Sequence, residues 1–277
     1  MDILLRHWLS RNRREKSGQF LVVQVSSKVI SMHKMNPRKA YTLLSKFLGR
    51  TPLHPQYFSK HFLDRQVRGN ADQIQGVIAD LGCGLKPYSK HFKNTKYIGL
   101  DYPTTSVAVL SCEADVYGDL TRLPFGDEYL DGVLCTQVLE HIKDPMKAAC
   151  EIRRVLKPGG TLLMSVPFFY PLHDEPHDYY RFSKYALASM LSRVGLKVVE
   201  IIPQGGFFPM AGEFLNLYLI HKISKLYTAG RLKLSIGILL TFFFLVFAAI
   251  NNLICMPLSF MDRERRFVMN YFIIAKR

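Results

Sequence analysis

Residues 77–101, VIADLGCGLKPYSKHFKNTKYIGLD, constrain the fold more than any other stretch of the chain. An apolar run from Val77 to Leu81 carries Asp80 near its end, turns through Gly82-Cys83-Gly84, and is followed by a second apolar run that stops at Asp101. The pattern is a strand, a glycine turn, a short helix and a second strand tipped by a carboxylate. Small residues directly after a buried parallel strand let the backbone approach a ligand closely, and a carboxylate at the tip of the next strand accepts hydrogen bonds from both hydroxyls of a ribose. The stretch therefore proposes a site for an adenosine-containing cofactor.

From residue 77 onward apolar strands alternate with helices or loops. The pattern predicts strands at 77–81, 96–100, 114–117, 131–135, 161–166, 196–202 and 267–275, and helices at 86–92, 145–156 and 184–193. Asp144 and Pro145 open the helix of 145–156, which ends before Lys157-Pro158-Gly159-Gly160; Ser183 caps the helix of 184–193, and Gly195 follows it. Such alternation implies an α/β fold with a mostly parallel sheet, covered on both faces, whose ligands sit outside the carboxyl ends of the strands.

The net charge of +15 is unevenly spread. Residues 1–70 hold 14 Lys/Arg against 3 Asp/Glu, residues 71–170 hold 10 against 12, and residues 171–277 hold 13 against 7. The motif-bearing middle is near neutral, so the basic surface belongs to the flanks and suits an anionic membrane or nucleic acid, or is simply solvated. At the N-terminus, Leu4, Leu5, Trp8 and Leu9 alternate with basic residues, as in a short amphipathic helix, and 38–48 reads as another helix ended by Pro52 and Pro55. This N-terminus is no export signal, because its apolar stretch is short and the basic residues follow it. The five cysteines show no metal spacing and fit free thiols in a reducing compartment, so a cytoplasmic catalytic face is expected.

A glycine turn alone does not choose the cofactor. The third glycine of G-x-G-x-x-G is absent here, since Leu85-Lys86-Pro87 follows Gly84, which disfavours a pyrophosphate-binding turn. Five motifs then come in order: DLGCG at 80–84, the acidic end at Asp101, GDLTRLPF at 118–125, DGVLCTQVLEHI at 131–142 and EIRRVLKPGG at 151–160. Together they resemble the class I S-adenosylmethionine-dependent methyltransferases of the type 11 branch, over roughly residues 75–203. The resemblance implies a Rossmann-like seven-stranded sheet with helices on both faces. It also implies that Asp80, Gly82, Cys83 and Gly84 line the methionine part of S-adenosylmethionine. Asp101 would bind the ribose, Asp119 and Leu120 the adenine, and Gln137 would lie near the sulfonium. That cofactor is a cation at sulfur and has no phosphate, so carboxylates suit it better than a turn lined with Lys or Arg.

Residues 167–182, PFFYPLHDEPHDYYRF, directly follow the fifth strand and therefore stand at the ligand edge. A hydroxyl acceptor loses its proton as it attacks a methyl group, and a histidine titrating near neutrality can take that proton. The sequence nominates His177 as the base, oriented by Asp178, with His173 as second choice; the alternative is a lid held by an Asp178–Arg181 pair. PHDYYRF also resembles a signature of methyltransferases tied to bacterial cell-envelope glycan and lipid assembly. Membrane-linked quinone O-methyltransferases place a metal on Glu-x-x-Glu-His, but this chain has Gln137 ahead of Glu140 and His141. With one hard anionic ligand missing, no metal is expected.

Residues 204–266 interrupt the alternation before the last strand. Leu234 to Met261 contain no charge and are long enough to cross a bilayer. Residues 267–277 alternate like a strand and resemble the last strand of that family, which inserts antiparallel between its neighbours; a simple crossing conflicts with this resemblance, because the chain would then have to return to the side it left. Basic residues flank the run at both ends, Glu213 lies in the preceding segment, and Asn251-Asn252 and Pro257 offer a bend. The expectation is a monotopic insertion, an amphipathic helix plus a bent apolar helix dipping into one leaflet; a soluble subdomain or dimer interface would bury the same residues. The domain reading is thus a basic helical region at 1–70, a methyltransferase domain at 71–203 and 267–277, and a membrane-associating insertion at 204–266. The expected acceptor is a lipid, a lipid-linked saccharide or an isoprenoid quinone, methylated on oxygen at the cytoplasmic face of a membrane. An RNA methyltransferase using the basic N-terminal region, or a scaffold that has kept the fold, are the alternatives. Nucleic acid is disfavoured because no RNA-binding module is recognisable and the apolar insert would have no purpose there.

Overall fold

A computed structural model describes residues 47–103, 112–228, 231–262 and 264–277. The amphipathic stretch at 4–9 and all but the last two residues of the helix read at 38–48 lie outside the described residues.

Seven strands form one sheet in the order β3-β2-β1-β4-β5-β7-β6. They are β1 (Gly76–Leu81), β2 (Thr95–Asp101), β3 (Val116–Tyr117), β4 (Leu130–Thr136), β5 (Leu156–Pro167), β6 (Lys197–Gln204) and β7 (Asn270–Lys276). The pairs from β3 through β5 are parallel, while β7 runs antiparallel to both β5 and β6. Consecutive strand residues serve opposite faces: Ala79, Val133, Leu162 and Ile273 join one core, and Ile78, Leu134, Leu163 and Phe272 the other. This two-sided burial is why the central strands read as unbroken apolar runs.

Helices α2 (Pro145–Val155) and α3 (Lys184–Arg193) cover the first face through Ala148, Ala149, Ile152, Leu187 and Leu191. Their starts are capped as the sequence implies, Asp144 accepting from the Lys147 N–H and Ser183 from the Ala186 N–H. Helix α1 (Tyr57–Asn70) covers the second face through Leu63 and Val67, so packing on the sheet begins N-terminal to residue 71.

Local structure departs from the sequence reading in three places. The expected helix at 86–92 is a single 3-10 turn at Ser89–His91, because Pro87 and a left-handed Lys86 (φ 48°) leave no room for an α-helical start. The Lys157-Pro158-Gly159-Gly160 turn is the irregular first part of β5, with Leu156 already paired to Leu130. The last strand starts at Asn270 rather than 267.

Between β6 and β7 the chain makes a helical pair, α4 (Phe207–Ser224) and α5 (Arg231–Leu258). The groups that looked awkward in an apolar insert turn out to dock it. Glu213 is fully buried and accepts hydrogen bonds from the backbone N–H of Ser59 (2.9 Å) and from its hydroxyl. Asn251 donates to Gly212 O and Asn216 Oδ1, Asn216 donates to Asn252 Oδ1, and Asn252 donates to Pro52 O and His54 O. The two asparagines expected to bend the apolar helix instead tie it to α4 and to the segment before α1, and α5 continues through them to Leu258. Gly212 permits the close crossing, since a Cβ there would lie 2.8 Å from Cys255 Sγ.

Replacing Asn252 with Ala leaves Pro52 O without its donor and the buried Asn216 amide with only Pro55 O at 3.5 Å. The change is expected to lower stability by about 1–3 kcal/mol, measured as a lower urea midpoint with unchanged slope.

Candidate active site

The carboxyl ends of β1 and β2 are joined by direct bonds. Gly82 and Cys83 both donate their N–H groups to Leu100 O (2.7 and 3.0 Å), and the Gly84 N–H donates to Asp101 Oδ2 (2.9 Å). Gly82 has φ 72°, and a Cβ on it would lie 2.3 Å from Val138 Cγ2, so only glycine fits this turn. Asp101 is 4 % exposed and its Oδ1 also accepts from the Tyr102 N–H, so the carboxylate is held at the strand tip.

Asp80 is buried and accepts a hydrogen bond from the Tyr97 hydroxyl. Burial pushes its carboxyl up to about 7 against that hydrogen bond, and the neighbouring Asp101 adds to the rise. Tyr97 is a site residue that motif reading passes over. Register exposes it, because Asp80 pairs with Gly99 and Tyr97 stands two residues earlier on the same face of β2. Cys83 is buried, and burial drives its thiol well above the usual range, so it is a packing group at this turn.

Farther along the edge, Gly118 N–H donates to Asp101 O, which carries the loop of Asp119 and Leu120 up to the acid end of β2. Leu120 is buried; Asp119 is exposed and accepts from both the N–H and the hydroxyl of Thr121. Gln137 follows β4 in a left-handed conformation (φ 55°), with its amide donating to Ser165 Oγ (2.9 Å).

Asp80, Gly82, Cys83, Gly84, Asp101, Leu120 and Gln137 thus come to one sheet edge with Asp119 at its rim. The set fits S-adenosylmethionine: it offers backbone turns and two buried carboxylates, while the nearby cation, Lys86, is spent on Asp115 at 2.7 Å. Asp80, Gly82 and Gly84 would hold the methionine end and Asp101 the ribose.

The acceptor-side histidines are arranged differently from the sequence expectation. Asp178 meets His173 rather than His177: its Oδ2 accepts from the His173 backbone N–H (3.0 Å) and lies 3.2 Å from His173 Nδ1, which also hydrogen-bonds Pro171 O at 3.2 Å. Arg181 grips the same carboxylate with both terminal nitrogens at 2.6 and 2.7 Å. Burial of Asp178 works against ionisation, but the Arg181 and His173 hydrogen bonds outweigh it and hold the group at about 2. Burial lowers His173 below its ordinary value despite that neighbouring charge, so the ring is neutral at pH 7. His177 is exposed, and its Nδ1 meets the Tyr179 hydroxyl at 3.0 Å.

The centre of this region is Glu140. It is fully buried, neither carboxyl oxygen has a hydrogen-bond partner among the described residues, and burial pushes it up to about 8. Its Oε1 lies 3.9 Å from Nε2 of both His141 and His173. His141 Nδ1 is occupied by His177 O (2.7 Å), so both rings turn Nε2 toward the carboxyl. The ligand atoms of the three side chains lie within 4.8 Å of one another, a donor set able to share a proton or to take a divalent cation. His173 completes a trio that neighbouring sequence positions do not reveal, and Gln137 is turned away to β5.

Residues 79–164 match the model of a family described as "Methyltransferase domain". The chain is 34% identical over 113 residues to the Homo sapiens "Probable tRNA methyltransferase 9B", a match covering 39% of this chain and 23% of that protein. It is 36% identical over 114 residues to the "Demethylmenaquinone methyltransferase" of Renibacterium salmoninarum, covering 39% of this chain and 47% of that one. These matches span about a quarter to a half of the length of the curated relatives. The crystal structure of a SAM dependent methyltransferase from Archaeoglobus fulgidus superposes with a TM-score of 0.52 at 16% identity, over 86% of this chain and 99% of that one. At that identity the common property is the fold.

Glu140 keeps its proton in the folded chain up to about pH 8, whereas in the unfolded chain it releases it near 4.5. Between these values the unfolded state binds fewer protons, so raising the pH favours unfolding. Urea midpoints of the native chain are expected to fall from pH 4.5 to 8 more steeply than those of Glu140→Gln, which lacks this titration.

Proposed function

Because the chain carries a class I methyltransferase domain of the type 11 branch, whose cofactor is S-adenosylmethionine, we propose that it methylates an oxygen of a membrane-embedded acceptor at the cytoplasmic face. A lipid, a lipid-linked saccharide or an isoprenoid quinone fits this reading. The observation that carries it is the surface of α5. Leu232–Met261 is long and apolar enough to cross a membrane, yet only 17% of its most apolar window is buried. A core helix of equal hydropathy would be mostly covered. Here Leu239, Phe242, Phe243, Ile250, Leu253 and Ile254 are each more than half exposed, while Phe244, Ala248 and Asn252 face α4 and the domain. Both ends of the helical pair are tied to the sheet edge, which favours lying in one leaflet over crossing.

When bound, the cofactor supplies an electrophilic methyl group. The chain aligns the acceptor and removes its proton. His173, neutral and turned by Asp178 so that Nε2 faces inward, is the base in this reading; Arg181 keeps Asp178 ionised and so holds the ring. Glu140, protonated at pH 7, adds no negative charge beside it. His177 becomes a surface residue of the same loop. An RNA acceptor is the second reading, favoured by the excess of basic residues in 1–70 and by the name of the human relative.

Native membranes and RNA incubated with the chain and methyl-labelled cofactor are expected to take label into the lipid extract; label in RNA alone would overturn the proposal. His173→Ala should lower turnover about 100-fold or more with cofactor affinity kept, and His177→Ala should lower it less than threefold, roughly. Replacing Phe243 and Ile250 together with Asp should release the chain from liposomes while thermal unfolding is unchanged. A native chain that stays soluble without detergent and does not sediment with anionic liposomes would sink the membrane reading.

A further inference from the structure

On the acceptor side three lone-pair donors face one another with no proton donor between them. Neither carboxyl oxygen of Glu140 has a hydrogen-bond partner among the described residues, and Oε1 lies 3.9 Å from Nε2 of both His141 and His173. The far side of each ring fixes its tautomer. His141 Nδ1 hydrogen-bonds His177 O at 2.7 Å, while His173 Nδ1 hydrogen-bonds Pro171 O at 3.2 Å and stands 3.2 Å from Asp178 Oδ2. A carbonyl or carboxylate oxygen accepts and does not donate, so each neutral ring keeps its proton on Nδ1 and its lone pair on Nε2. Two imidazole lone pairs and a carboxyl thus converge on a gap too wide for a direct hydrogen bond.

Such a gap suits a cation. A histidine whose second ring nitrogen donates to a carbonyl or carboxylate is in the usual setting of a metal-bound imidazole, and both rings meet that condition. Two imidazoles with one carboxylate make a zinc-type set, unlike the oxygen ligands that magnesium and calcium take. Bond lengths of about 2.0–2.1 Å put tetrahedral ligand atoms about 3.4 Å apart, so the trio has about half an ångström to close. Glu140 is shut off from solvent at the back, but the histidine side chains keep 22% and 27% exposure, which gives an ion its approach.

The ligands come from two segments that are already joined. Glu140 and His141 stand in the 3-10 turn Leu139–His141 after β4, His173 stands in the loop after β5, and the Tyr179 N–H of that loop donates to Glu140 O at 2.9 Å. The set is therefore different from Glu-x-x-Glu-His, whose ligands all come from one segment; here Gln137 donates to Ser165 Oγ and the next loop supplies the third ligand.

We propose that Glu140, His141 and His173 bind a zinc-type divalent cation, and that its binding stops turnover. The ion takes the place of the Glu140 proton, which passes to solvent, and occupies the His173 lone pair. The shut-off rests on the proposed role of His173 as base; the site itself does not.

The test uses the full chain in detergent, stripped of metal by a chelator and titrated with Co²⁺, whose tetrahedral complexes absorb visible light. One bound cobalt per chain, displaced by zinc, is expected. Glu140→Gln and His141→Ala should each weaken cobalt binding at least about tenfold, and Asp178→Asn, which removes a partner of a ligand and no ligand, about tenfold. Zinc should raise the melting temperature of the native chain and not that of His141→Ala, a comparison that also reports whether the variant is folded. With native membranes and methyl-labelled cofactor, zinc should stop transfer by the native chain, and His141→Ala should need at least about tenfold more zinc for half inhibition.

Cobalt that binds equally to the native chain, Glu140→Gln and His141→Ala overturns the site. So does cobalt that Cys112→Ser removes instead, which assigns it to Cys83, Asp101 and Cys112, whose ligand atoms also lie within 4.8 Å of one another. Methyl transfer without cobalt binding overturns the site and leaves the proposed function standing. Cobalt at the trio with undiminished transfer overturns the shut-off and His173 as the base. Cobalt at the trio with no transfer under any condition supports the site and overturns the proposed function, the shut-off with it.

Discussion

The last strand has to return to the edge that the chain left at β6. With β7 antiparallel between β5 and β6, and Gln204 and Pro167 both paired to Asn270, any segment between β6 and β7 must begin and end at the carboxyl edge of the sheet. That requirement forbids a single crossing of a membrane and makes a helical pair the economical solution. It also puts the most apolar surface of the protein beside the edge where the fold binds ligands. In the proposed reading, an acceptor dissolved in a bilayer and a cofactor taken from water meet at one sheet edge.

A helical pair with so much apolar surface needs something other than hydrophobic burial to fix its position, since greasy faces pack without direction. The seam of Glu213, Asn216, Asn251 and Asn252 supplies direction. Each of its bonds has a defined partner on Ser59, Pro52, His54 or Gly212. The N-terminal segment that receives them also reaches the acceptor loop through the Gln56 amide and the Tyr170 hydroxyl. Insertion, N-terminal segment and the loop of 167–182 are consequently one connected unit, and the helices are set relative to that loop by hydrogen bonds.

The carboxyls of the site follow two opposite electrostatic plans. Asp80 and Glu140 are carboxyls that burial raises to about 7 and about 8, so each changes charge within reach of physiological pH. Asp178 is held ionised at about 2 by Arg181 and serves to orient His173. A buried acid that is easily neutralised suits a place where a cation comes and goes, whereas a fixed anion suits a part that must hold another group still.

Sequence was sufficient for the alternation of strands and for the glycine-acid pair, because these depend on local patterns: two-sided apolar runs, a glycine turn and a carboxylate at a strand tip; the strand order came with the structure. That 204–266 must return was expected from the resemblance of 267–277 to the family's last strand, and the antiparallel pairing of β7 bears it out. Sequence did not give the short 3-10 turn after Pro87, where one left-handed residue outweighs helix propensity, nor the work of the asparagines, which read as helix interruptions until their partners on distant segments are in place. The different surroundings of His173 and His177 were beyond it for the same reason. Two histidines four residues apart look alike along the chain, and only packing beside Glu140, with Asp178 fixed by Arg181, half-buries one and leaves the other at the surface. Local order determines which residues reach the edge; tertiary packing decides which are desolvated, and desolvation sets what each can do.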